Sequence, residues 1–71
     1  MNTETTINIV QSKSKAKDIL ENIAVAGKYK ASGFNNGFVI YSKEKGDTIE
    51  EVTAKKVSGR KFEVFRRTVS M

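Results

Sequence analysis

Residues 6 to 10, Thr-Ile-Asn-Ile-Val, alternate polar and apolar positions and are rich in β-branched side chains, the pattern of a short half-buried strand. From Ser14 the period changes. Ala16, Ile19, Leu20, Ile23 and Ala24 recur at i, i+3, i+4, i+7 and i+8, which gathers them on one face of a helix over residues 13 to 26. Ser12 or Ser14 is placed to cap its start and Gly27 to end it. In ASGFNNGFVIY, residues 31 to 41, Asn36-Gly37 marks a two-residue type I′ hairpin, because that turn needs positive φ at both positions. Strands then run over 28 to 35 and 38 to 43, with Phe34 opposite Val39, Gly33 opposite Ile40 and Ser32 opposite Tyr41. Alternation puts Phe38 and Ile40 on one sheet face and Val39 and Tyr41 on the other. If Phe38 packs on the helix, Tyr41 is the aromatic expected in solvent. Residues 1 to 5 are polar and expected to form a flexible N-terminus.

The segment GDTIEEVTAKKVSG, residues 46 to 59, supports two folds. As a helix it has Asp47 or Thr48 as cap, Glu50 and Glu51 in the first turn, Lys55 and Lys56 in the last, and Gly59 beyond. That gives β-α-β-β-α-β, the order of the ferredoxin-like split βαβ unit. As a strand it pairs with RKFEVFRRTV through a Ser58-Gly59 turn, setting Glu51 opposite Arg66, Glu50 opposite Arg67, Val52 opposite Phe65 and Lys56 opposite Lys61. Only the last pair is unfavourable, since like charges repel across a ladder. The β-branched Thr48, Ile49, Val52, Thr53 and Val57 tip the balance to a β-α-β-β-β-β meander. Either order gives an α+β fold, a single small domain over residues 6 to 71 with one amphipathic helix packed on an antiparallel sheet.

Composition narrows the chemistry more than the fold. The 71 residues include no Cys, His, Pro or Trp, which removes thiol and histidine zinc sites, disulfides and histidine-dependent triads. The carboxylates are scattered among lysines, and the adjacent Glu50 and Glu51 point to different faces, so no paired acid and base is built. The expectation is a protein that is not an enzyme and needs no cofactor or metal. No G-x-G-x-x-G or Walker pattern cradles a phosphate. Neither a secretory leader nor an apolar run long enough to span a bilayer is visible, so a cytoplasmic protein without a membrane partner is expected.

Thirteen Lys and Arg against eight Asp and Glu leave a net charge of +5. Beyond residue 51, Lys55, Lys56, Arg60, Lys61, Arg66 and Arg67 face Glu63 alone. This cluster, supported by Lys28 and Lys30 and with Tyr41 as a stacking contact, is the candidate nucleic-acid-binding set, for DNA or RNA. Lys13, Lys15 and Lys17 crowd the start of the helix, where the dipole favours anions, which makes them a second candidate for holding a phosphate. Gly37-Phe38-Val39-Ile40-Tyr41 resembles the last five positions of the RNP1 strand of RNA-recognition motifs. Phe34, Asn35 and Asn36 stand where that pattern has a basic residue, a glycine and an aromatic, so the family is not assigned. The alternative function is a small modulator or inhibitor that docks on a larger complex, by a sheet edge or by its basic face on an acidic protein surface. A homodimer formed through an exposed strand edge is compatible with both.

Overall fold

The computed structural model describes residues 3 to 70 as one helix packed against one antiparallel sheet. In chain order the elements are β1 (Thr3–Val10), α1 (Lys13–Gly27), β2 (Lys30–Asn35), β3 (Phe38–Lys45), β4 (Thr48–Ser58) and β5 (Lys61–Ser70). Segment 48–58 is therefore strand, and its β-branched side chains outweigh its helix-like end signals. The four strands after α1 form a meander, and β1 closes it on β5 to give the order β1-β5-β4-β3-β2. Residues 3 to 5, expected to be flexible, pair with Thr68, Arg67 and Arg66, and Met1 and Asn2 lie outside the described residues. Two threonines in that stretch suit it to a ladder.

Ser12 caps α1 by accepting a hydrogen bond from the Lys15 amide, at 3.4 Å. The C-terminal end departs from expectation, because Gly27 is still helical and Lys28 takes the left-handed conformation, with φ 58°. Gly27 serves a different need. A Cβ there would overlap the Tyr29 ring, which folds back over the last helical turn. Lys43 Nζ sits 4.6 Å from the centre of the same ring and donates to the Gly27 carbonyl at 3.1 Å.

Ala16 and Leu20 of α1 pack with Phe38, Val52, Ala54 and Val64 of the sheet, and Val10, Ile19, Ile23, Tyr29, Tyr41 and Phe62 surround them. The Asn36-Gly37 hairpin has positive φ at both positions, as a type I′ turn requires, and it pairs Phe34 with Val39 and Gly33 with Ile40. A bulge at Ser32 then brings Ala31, not Ser32, opposite Tyr41. Tyr41 in turn pairs with Val52 on the helix side, so it is half-buried against the core and is not the solvent-facing aromatic. Val39 and Tyr41 do share a face, as alternation predicts, and the departure lies at Phe38, before regular β3–β4 pairing begins at Tyr41. Residues 38 to 40 lie outside that ladder, and Thr53 Oγ1 donates to the Val39 carbonyl at 3.1 Å instead. Phe38 is thereby buried in the same core as Tyr41.

The β4–β5 register also differs from the simple hairpin by one residue. A bulge at Val57 and a Gly59-Arg60 turn set Glu51 opposite Arg67, Val52 opposite Arg66, Thr53 opposite Phe65 and Lys56 opposite Phe62. The expected Lys56–Lys61 repulsion does not arise. Among the described residues no helix is long and apolar enough to cross a membrane.

Candidate nucleic-acid interface

The sheet surface away from α1 is where a stacking platform would lie, and its central charges are matched. Arg67 donates from two nitrogens to Glu51 Oε1, at 3.0 and 2.6 Å. Lys55 lies 3.6 Å from Glu4 and 3.9 Å from Glu63, with its ammonium 4.8 Å from the Phe65 ring centre. Thr6 adds a hydrogen bond to Glu63. The pairing puts Glu4, Glu51 and Glu63 on one face with Lys55 and Arg67, and Phe65 is buried there beneath the Lys55 side chain. Among the described residues, Lys55 and Arg67 on this face are therefore engaged by carboxylates, and Phe65, its buried aromatic, is covered by Lys55.

The remaining sequence-derived candidates separate. Lys28 and Lys30 flank the C-terminal end of α1, and Arg66 lies on the helix side with Glu50 and Tyr29. Tyr29 donates a 3.4 Å hydrogen bond to Glu50. Burial first, and the Glu50 carboxylate second, raise the Tyr29 phenol above its usual pKa of 10.0, with Arg66 partly opposing. Lys45 completes this polar group at 3.8 Å from Glu50. Among the described residues no three His, Cys, Asp or Glu side chains are grouped to hold a metal.

Lys56, Arg60 and Lys61 lie at the opposite end, where three elements converge. Phe62 pairs with Val10 on one side and Lys56 on the other, and Val10 leads within three residues to Lys13, the first residue of α1. The Phe62 ring meets Phe38 edge-on at 5.9 Å, and Lys13 Nζ lies 5.7 Å from the Phe38 ring centre, against the Asn36-Gly37 turn. The first turns of α1, with Lys13, Lys15 and Lys17, thus start from the same end of the sheet as the β4–β5 hairpin that carries Lys56, Arg60 and Lys61. Except for Lys13, whose ammonium lies over Phe38, no carboxylate, carbonyl or ring engages any of the six ammonium and guanidinium groups in the described structure. All but the three helix lysines belong to the candidate set read from sequence. Lys28 follows the far end of the 15-residue helix, about 22 Å from Lys13 along the axis, and Lys30 begins β2 beyond it.

Beside this end, Lys17, Leu20 and Glu21 of α1 face Phe34, Val39 and Tyr41 across an open groove of about 160 Å³. Phe34 is 69% exposed, the only aromatic side chain so exposed among the described residues. Its pairing with Val39 alone reads as ordinary sheet packing. The overlooked signal is its place on β2, which the strand order leaves at an edge with one neighbour. No protein-family model matches this chain, and no curated protein or solved structure matches it either.

Proposed function

We propose that this is a small non-enzymatic nucleic-acid-binding protein of the cytoplasm that grips phosphates with Lys13, Lys15, Lys17, Lys56, Arg60 and Lys61. One observation carries the reading: cations from α1 and from the β4–β5 hairpin converge on one end, while Lys55 and Arg67 of the same basic segment are engaged by carboxylates. Counterion release makes such binding strongly salt-dependent, with a log–log slope of about −4 on a single strand if all six cations engage phosphates. The test is anisotropy of labelled oligonucleotides across a salt series. Lys56→Gln/Arg60→Gln/Lys61→Gln should lose at least about tenfold in affinity and flatten the slope, while Lys28→Gln/Lys30→Gln stays within about twofold of the parent. A flat salt response, or equal loss in both variants, rejects this reading.

A second reading has its own support. Every residue of β2, and all of β1 except Val10, is exposed, and Ile9 on the β1 edge is 56% exposed. Two open edges suit a modulator that adds a strand to a larger protein, or a homodimer. In that case no oligonucleotide, single- or double-stranded, changes anisotropy at any salt concentration.

A further inference from the structure

We propose that the groove between α1 and the β2–β3 hairpin receives an unstacked base of a single-stranded nucleic acid, with Phe34 as the stacking surface. This rests on the nucleic-acid reading above and specifies its substrate as single strands. The other five aromatic residues are buried or half-buried, whereas Phe34 presents its ring to solvent. Its surroundings continue the apolar surface: buried Leu20 and half-buried Val39 and Tyr41 line the same groove.

The charges divide the ligand between groove and rim. Lys17 and Glu21 stand one helical turn apart on the groove wall. Glu21 repels a phosphate from the interior but can accept hydrogen bonds from the amino and ring N–H groups of a base. Lys17 and Lys13 are positioned to hold the flanking backbone. A base therefore goes inward and its phosphates stay with the lysines. A duplex keeps its bases stacked and cannot fill the groove without unpairing, so strand state sets affinity.

The test uses anisotropy at one low salt concentration with a labelled single strand, an abasic strand of equal length and a duplex, each as DNA and as RNA. Phe34→Leu leaves an apolar side chain at an exposed site, and a thermal melt matching the parent confirms its fold. The parent should bind the base-bearing strand more tightly than the abasic strand or the duplex. Phe34→Leu should lose about 5- to 100-fold on the base-bearing strand, stay unchanged on the abasic one, and be rescued by Phe34→Trp. Unequal affinity for DNA and RNA in these arms identifies the strand chemistry and leaves the stacking role standing. Equal binding of abasic and base-bearing strands, or an unaffected Phe34→Leu, overturns the stacking role while leaving phosphate binding intact. Absence of salt-dependent binding to every strand overturns both readings. A concentration-dependent dimer abolished by Phe34→Leu, without any oligonucleotide effect, assigns the groove to a second copy and also overturns the proposal.

Discussion

At Lys28 the helix ends on a left-handed residue that carries a side chain, although a glycine stands one position earlier. The two positions have separate requirements. Position 27 needs the absence of a Cβ so that Tyr29 can fold over it, and position 28 needs positive φ, which costs an L-residue about 1–2 kcal/mol. Lys28→Gly should therefore stabilise the protein by about 1 kcal/mol, raising the melting temperature by about 4–8 °C for a domain of this size. Gly27→Ala should lower it by displacing the Tyr29 ring. Tyr29 also links the fold to pH. Its folded pKa lies above 10.0, so the folded state holds the phenol proton more tightly than the unfolded chain does. That contribution is complete below the unfolded value and is lost as pH rises from about 10 through the folded pKa. Urea melts between about pH 9 and pH 11 should show a shallower alkaline loss in Tyr29→Phe than in the parent. Identical alkaline limbs would remove Tyr29 as the cause.

At the scale of elements, legibility depended on whether a pattern needed only its own segment. The helix was readable because five apolar residues at 3.6-residue spacing suffice to define a face, and the hairpin because Asn36-Gly37 supplies the two positive φ angles itself. Faces and registers were less readable, since each assumes an unbroken ladder. Bulges at Ile7, Ser32 and Val57, and a start of β3 that pairs with β2 but not with β4, break it four times. Of the cations read from sequence, Lys56, Arg60 and Lys61 lie together while Lys28, Lys30, Lys55, Arg66 and Arg67 fold elsewhere, and exposure of Phe34 follows from strand order, which no local pattern states. The three lysines at the start of α1 are a further case, since no acidic residue stands in the first turn to favour the helix dipole. Lys15→Glu should add about 0.3–1 kcal/mol to stability and at the same time weaken oligonucleotide binding. A gain in stability with unchanged binding would separate these lysines from function.

For the whole molecule, salt should act in opposite directions on binding and on folding. The dimensions are 36 × 24 × 18 Å. The Debye length falls from about 30 Å at 0.01 M salt to about 10 Å at 0.1 M, so repulsion among the six convergent cations is felt across the molecule at the lower concentration and confined to one end at the higher. The attractive contacts that hold the opposite sheet face are much shorter, 2.6 Å for Arg67 with Glu51, and lose little over the same range. Net self-repulsion at +5 therefore relaxes faster than the ion pairs weaken. The melting temperature should rise by a few degrees between about 0.01 and 0.1 M salt while oligonucleotide affinity falls. Lys56→Gln/Arg60→Gln/Lys61→Gln should melt higher than the parent at low salt and respond less to added salt. If its melting temperature follows the parent at every concentration, the hairpin cations do not form the shared positive end on which the binding proposal depends.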